Sequence, residues 1–237
     1  MPESSEIILL LRKMGHDMRV PLNTLISTSD MLVEGLYDPL TSKQARAAIR
    51  LQRNSRRLLA ILDDFVTYIK ADAGELNLTL KSFAPRAALT AWCGEVRAAA
   101  EAKGLVFQVT TAETVPASLV GDEAILSRIV QALLWNAVAY TAQGQIGITS
   151  DWTPGGEWLI SVQDSGSGIS DENKSHIFEP FWRGDERPQI PTAGAGLGLP
   201  LALALATLIK GQLVLKETSV QGSHFCVQIP LETAAPQ

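Results

Sequence analysis

Cysteine and histidine are scarce in this 237-residue chain, two and three residues respectively. Cys93 and Cys226 stand alone, without the clustered cysteine or histidine partners that a structural metal needs, and one pair gives no disulfide framework. Two isolated thiols fit a reducing, cytoplasmic setting, where they serve as small buried hydrophobes. No basic region followed by an apolar core opens the chain, so no signal peptide is expected. The longest apolar run, residues 197–209, is too short to cross a bilayer and holds Pro200; it reads as a buried helix, and no membrane segment is expected. Twenty Lys and Arg against 25 Asp and Glu leave a net charge of −5, which gives no reason to expect nucleic acid or an anionic membrane as partner. Repeats and low-complexity tracts are lacking too. What is present is 46% hydrophobic and 19% charged, a composition that folds, at a length sufficient for two compact domains.

Two long helices open the chain. Ile7, Leu11, Met14, Met18, Leu22, Leu25 and Leu32 recur at spacings of mostly three and four and predict a buried stripe on a helix over residues 5–35. His16, two residues from both Met14 and Met18, then points to the opposite, wet side. Pro21 removes the amide that would bond the Asp17 carbonyl, which predicts a bend where the histidine is displayed. Gly35 and the turn LYDPL end this helix, and Thr41 or Ser42 can cap the next. There Ala48, Leu51, Ser55, Leu58, Leu62, Phe65 and Ile69 step by three and four in a sustained heptad. A two-helix hairpin cannot bury such stripes alone, so a homodimer whose paired hairpins make a four-helix bundle is expected.

The alternating ELNLTLKSF reads as a short strand or extended linker, and Pro85 starts a new alanine-rich helical segment. The predicted organisation is a helical domain over 1–74, a linker over 75–84 and a second domain over 85–237. In the latter, 105–109, 145–150, 158–163, 212–216 and 225–230 read as strands, with helices over 123–139 and after Leu199. Strands and helices in that order predict an α+β sandwich, one sheet covered on one face by helices.

Three motifs in the second domain point to a ligand. Asn136, in LLWNAVAYT, places an amide on an otherwise apolar helix, which is costly unless a ligand or partner satisfies it. Asp164 opens DSGSGI, where Gly166 and Gly168 permit a tight turn against a flat ligand and the carboxylate can accept from an exocyclic amine. AGAGLGL puts Gly194, Gly196 and Gly198 just before a helix, where backbone amides and the helix dipole favour phosphate oxygens. The run follows a long loop rather than a strand, so it is no Rossmann fingerprint, and without GK[ST] it is no Walker A sequence.

The order GHDMRVPL, NAVAYT, DSGSGI, IFEPFWRGD, GAGLGL, GSHF, from about residue 5 to 231, closely resembles the sensor histidine kinases of two-component signalling. The resemblance implies a dimerisation and phosphoacceptor hairpin followed by a Bergerat-type ATP-binding sandwich. It implies ATP and Mg2+ as ligands, and a receiver aspartate of a response regulator as partner. His16 would be the phosphoacceptor and Asp17 its neighbouring acid. Asn136 would hold magnesium, Asp164 would read adenine, and Tyr140, Gly166, Gly168, Gly194, Gly196, Leu197 and Gly198 would complete the nucleotide site. Phe178, Phe181 and Trp182 would belong to the segment packing near the lid.

The chain also departs from its look-alikes. Similar kinases carry an asparagine one turn before the ligand asparagine and a cation three residues after it; here these are Ala132 and Ala139. Each loss weakens magnesium or phosphate contacts by about 1 to 3 kcal/mol where nothing substitutes, which predicts a slow kinase. Arg183 or Arg187 can supply a cation, or are exposed arginines on a polar loop. Val20, four residues after His16, stands where a threonine or asparagine associated with dephosphorylating the partner is common. His176 and His224 read as bystanders, the first solvated, and the tryptophans at 92, 135, 152 and 158 as packing. The alternative reading is a catalytically degenerate dimeric adaptor that binds nucleotide without phosphorylating anything. An ATPase or chaperone sharing only the nucleotide fold leaves the histidine hairpin unexplained.

Overall fold

The computed structural model describes residues 2–184 and 195–234, with side chains from residue 10 onward except that of residue 12. Two compact units divide it, Met1–Lys70 and Ala71–Gln237.

The first unit is a helical hairpin, α1 (Pro2–Val33) and α2 (Ser42–Asp72). Gly35, at φ 75°, closes α1, with the Leu36 amide donating to the Met31 carbonyl at 3.0 Å in a Schellman turn. Thr41 caps α2 in a box with Gln44, whose side-chain oxygen accepts from the Thr41 amide at 2.9 Å. Helix α1 runs unbroken through Pro21. Across the hairpin Arg19 Nε donates to Asp63 Oδ1 at 2.7 Å, and Asp30 accepts from Gln52 at 2.7 Å and Arg56 at 2.9 Å.

The heptads split into two faces. Gly15, Leu22 and Ser29 of α1, and Ala48, Ser55, Leu62 and Ile69 of α2, each set spaced by sevens, are buried inside the hairpin. The intervening Met14, Met18, Leu25, Leu51 and Leu58 are between 41 and 54% exposed. The expectation that Met14, Met18 and Leu25 lie in one buried stripe with Leu22 is therefore corrected for the single chain. Alternating heptad positions sit on either side of the stripe's centre, and one neighbouring helix covers only one side.

The second unit is built on a five-stranded sheet of β2 (Val106–Thr111), β4 (Gln145–Trp152), β5 (Glu157–Asp164), β7 (Gly222–Pro230) and β6 (Gln212–Ser219), in that spatial order. Only β2 and β4 run parallel. Its inner face is apolar, with Ile146, Ile148, Trp158, Ile160, Val162, Phe225, Val227 and Ile229 buried. Against it pack α4 (Gly94–Ala102), α5 (Glu123–Tyr140) and α7 (Gly198–Leu208), with α3 (Pro85–Trp92) beside α4 and α5. The helical segment after Pro85 is thus two helices. They meet at Cys93, whose backbone ends one and begins the other. Pro200 is tolerated in α7 because it lies in the first turn, where the missing amide would have no intrahelical partner.

A small sheet of β1 (Lys81–Phe83), β3 (Leu119–Gly121) and β8 (Glu232–Thr233), in the order β1, β3, β8, completes the unit. Asp122 caps α5, accepting from the amides of Ala124 and Ile125, and its other oxygen takes the Thr79 amide at 2.7 Å. That bond ties the extended segment 75–80 to the helix carrying Asn136. Phe83, Trp92 and Trp158 cluster with ring centroids 5.8 to 6.3 Å apart, and the Trp158 indole donates to Ser150 at 2.7 Å. Cys93 and Cys226 are buried free thiols, and burial pushes that of Cys93 up to about 11. Among the described residues no helix is long and apolar enough to cross a membrane.

Candidate active site

His16 projects from α1 with its side chain 77% exposed. The sequence argument placed it opposite a buried methionine stripe; its exposure has another cause, the inward face being that of its neighbour Gly15. A Cβ on Gly15 would lie 2.5 Å from Val66 Cγ2, so the glycine lets α2 approach directly behind the histidine and leaves the imidazole no inward position. His16 Nδ1 lies 3.5 Å from Asp17 Oδ1. That is long for a hydrogen bond, although the carboxylate is the ring's nearest acid. With Nδ1 turned toward Asp17, Nε2 is the nitrogen free to attack a partner. Val20, one turn on, is exposed.

In the second unit, the end of β5, the end of α5 and the β6–β7 hairpin meet around one carboxylate. Asp164 is 7% exposed, and its Oδ1 accepts from the Gly166 amide at 2.8 Å and the Ser223 amide at 3.3 Å. Burial pushes its carboxyl above the ordinary value, and these two amides partly offset the rise. A Cβ on Gly166 would meet the Tyr140 carbonyl oxygen at 2.5 Å. Gly168, at φ 75°, lets its backbone pass the Ser219 carbonyl, which a Cβ would strike at 1.8 Å. Thr218 braces this contact by accepting the Ile169 amide at 2.8 Å and sharing a hydrogen bond with Ser223 at 3.0 Å. The loop therefore allows little freedom to Asp164, whose Oδ1 is committed to backbone.

Helix α5 brings Asn136 and Tyr140 to the same end of the sheet as Asp164, both half-buried. Among the described residues the Asn136 amide makes no hydrogen bond to protein. Ala139 is buried and Ala132 half-buried, and as alanines neither supplies a polar group to this end of α5. Of the glycine run, Gly196 and Gly198 are in place and Gly194 lies outside the described residues, as does Arg187. Gly196, at φ 77°, packs against the backbone of Phe181 and Trp182, and its carbonyl accepts the Phe181 amide at 3.0 Å. Leu197 precedes α7 without a side-chain cap, and among the described residues a Cβ on Gly198 would meet nothing within 4 Å outside its own helix. The first amides of α7 have no partner within the helix, an arrangement that suits an anionic group.

Sequence reasoning missed several residues of this arrangement. Ser223, Thr218 and Gly222 hold the far side of Asp164; the GSHF run was the only signal for Gly222 and Ser223, and Thr218 had none. His176 is solvated as expected, its side chain 46% exposed, but it also has partners that the sequence did not show. Its Nδ1 lies 2.9 Å from Glu179 Oε1 and its ring stacks on Trp182 at 5.9 Å. His224 is half-buried on β7, its pKa lowered by burial and by Lys216, and it takes no part in the cradle around Asp164.

Known proteins resemble this chain along both of its units. Residues 7–74 match the family described as His Kinase A (phospho-acceptor) domain, and residues 121–233 match the Histidine kinase-, DNA gyrase B-, and HSP90-like ATPase family. The chain is 30% identical over 226 residues to Sensor protein TorS of Escherichia coli K12, covering 94% of this chain and 24% of that protein. It is 29% identical to Autoinducer 2 sensor kinase/phosphatase LuxQ of Vibrio cholerae, covering 94% and 26%. It thus spans about a quarter of the length of these relatives. The crystal structure of full-length ShkA in complex with AMPPNP aligns with a TM-score of 0.82 at 26% identity, over 96% of this chain and 46% of that one. Acinetobacter baumannii histidine kinase AdeS, at 21% identity and a TM-score of 0.64, covers 91% of this chain and 97% of its own and shares the fold. The chain belongs to the histidine kinases, carrying their phospho-acceptor domain in the helical hairpin and their ATPase domain in the α+β unit.

Proposed function

We propose that this chain is the cytoplasmic transmitter core of a sensor histidine kinase: it binds ATP in the second unit, phosphorylates His16, and passes the phosphoryl group to an aspartate of a response regulator. The observation that carries the reading is an exposed imidazole backed by Gly15, in the same chain as a buried carboxylate cradle with a glycine-lined helix start. Asp164 Oδ1 is taken by two backbone amides, which leaves Oδ2 to accept from the adenine amine. Gly196, Leu197 and Gly198 would face phosphate oxygens, with Gly194 part of the same loop and Gly166, Gly168 and Tyr140 shaping the base pocket.

Among the described residues no group of three or more His, Cys, Asp or Glu can hold a metal. Magnesium needs only one or two protein oxygens when substrate phosphates and water complete its shell, and the unpartnered Asn136 amide fits that role. Bound there, the ion would neutralise charge on the phosphate oxygens as the terminal group departs. In the transfer itself the His16 Nε2 lone pair forms the N–P bond as the bond from the terminal phosphorus to the bridging oxygen breaks and ADP leaves. Asp17, screened by solvent, favours the positive charge that the ring acquires. A receiver carboxylate then displaces the imidazole, which returns to its starting form.

Incubation with magnesium and ATP labelled on the terminal phosphate tests this reading. We expect label on the native chain and none on His16→Gln. The degenerate adaptor, favoured by Ala132 and Ala139, predicts nucleotide binding with no label on either. Val20 bears on the reverse reaction. A valine side chain can neither accept from nor donate to a hydrolytic water, so we expect the lifetime of a phosphorylated receiver to be unchanged by added protein and shortened by Val20→Asn. Rapid dephosphorylation by the native chain would refute this.

A further inference from the structure

His176, Glu179 and Trp182 form a clamp at the turn that grips Gly196. The turn from 173 to 182 is held by successive backbone bonds, Glu179 amide to His176 carbonyl at 2.9 Å and Trp182 amide to Glu179 carbonyl at 3.3 Å. They bring the Glu179 carboxylate against His176 Nδ1 and lay the imidazole against the Trp182 indole, the ring planes 24° apart. At the edge of that indole, a Cβ added to Gly184 would meet its Cη2 at 3.2 Å and Asn173 Nδ2 at 3.0 Å. The Trp182 side chain thus stacks with His176 and has its ring edge close to Gly184. Its own carbonyl is the atom a Cβ on Gly196 would meet at 2.6 Å, and the neighbouring Phe181, a non-glycine at φ 64°, donates its amide to the Gly196 carbonyl. A residue larger than glycine in that φ region is strained and stays there only when its surroundings fix it.

We propose that His176 is a positioning residue for nucleotide binding. The stacked imidazole, oriented by Glu179, holds the Trp182 indole, and through the Phe181 and Trp182 backbone this sets where Gly196 and the first turn of α7 lie. The proposal rests on the assignment of that turn to the phosphate side of the ATP site. Removing the stack leaves the core intact, because neither His176 nor Trp182 is among its buried residues. It allows Phe181 to relax out of the left-handed region, and the amides at the start of α7 lose their preset geometry.

The test is the dissociation constant of a non-hydrolysable ATP analogue with magnesium, measured by calorimetry on the full chain, alongside KM and kcat for autophosphorylation. For His176→Ala we expect the dissociation constant and KM to rise about fivefold with kcat within about twofold of native, a loss on the scale of one aromatic contact. His176→Phe, which keeps a ring over the indole, should restore both, and Trp182→Ala combined with His176→Ala should raise them no further than Trp182→Ala alone. An unchanged dissociation constant in His176→Ala, failure of the phenylalanine to rescue, or additive effects in the double variant would overturn the proposal. Because binding is read apart from phosphorylation, a native chain that binds the analogue but takes no label defeats the kinase reading and leaves this one to stand or fall on the calorimetry.

Discussion

Asp164→Asn should lose ATP without losing the fold. The asparagine oxygen can take over the place of Oδ1 and accept from the Gly166 and Ser223 amides. The other end of the side chain then becomes an NH2 where Oδ2 stood, and a donor faces the donor amine of the base. A buried donor pair with no acceptor between them costs about 2 to 3 kcal/mol, roughly 30- to 150-fold in dissociation constant. Stability should move the other way or not at all. Burial raises the carboxyl's pKa in the folded chain, so its ionisation favours the unfolded chain: the stability the group contributes is present in acid and is lost as pH rises through the raised value. At neutral pH the neutral amide avoids that cost, and the thermal midpoint of the variant should equal or exceed the native one. Calorimetry with a non-hydrolysable analogue and a thermal melt on the same sample check both halves. A variant that binds normally, or one that fails to bind because it has unfolded, contradicts the account.

Leu58→Glu should turn a homodimer into a monomer. Met14, Met18, Leu25, Leu51 and Leu58 share the exposed edge of the two heptads, while the hairpin interior uses the alternate set. Contact with a second hairpin would bury them, at about 1.5 to 3 kcal/mol for each fully covered side chain. A dimer places two copies of every such substitution in one interface, so a charge at 58 is met twice. Arg46, Arg50 and Arg53 of α2 are also exposed, but at spacings of four and three they line the opposite, solvated side of the helix. Arg50→Glu is therefore the control: light scattering should report a dimer for the native chain and for Arg50→Glu, and a monomer for Leu58→Glu. A native monomer, or a Leu58→Glu dimer of undiminished affinity, would show that these side chains face something else.

The same heptad shows what was legible in the sequence and what was not. Its period fixes the helix and the existence of two apolar edges, but periodicity carries no information about which edge meets the other arm of the hairpin; Met14 and Met18 were assigned inward for that reason. His16 was placed outward correctly, although the geometry responsible is the absence of a side chain at Gly15. The five long strands and α5 announced themselves through alternation and a nine-residue apolar face. β1 lies at the end of the alternating ELNLTLKSF, but β3 and β8, at three and two residues, are too short to show a period at all. In the site, Asp164 and the glycines around it were readable because acid and glycine in that order have few structural uses. Ser223 and Thr218 were not, since hydroxyls in a strand are common and only the approach of β7 to the end of β5 gives them a role. His176 was missed because its partners depend on a turn that the left-handed Phe181 makes possible, and nothing in a phenylalanine predicts a positive φ.

The central claim is that the imidazole at position 16 receives the phosphoryl group. Mass spectrometry of the chain after brief exposure to magnesium and ATP, with proteolysis kept at alkaline pH, tests it most directly. The account predicts phosphate on the peptide containing His16, stable to alkali and lost in acid as a phosphoramidate should be. Phosphate on a serine, threonine or aspartate, or an unmodified His16 in a chain that demonstrably holds ATP, would contradict it.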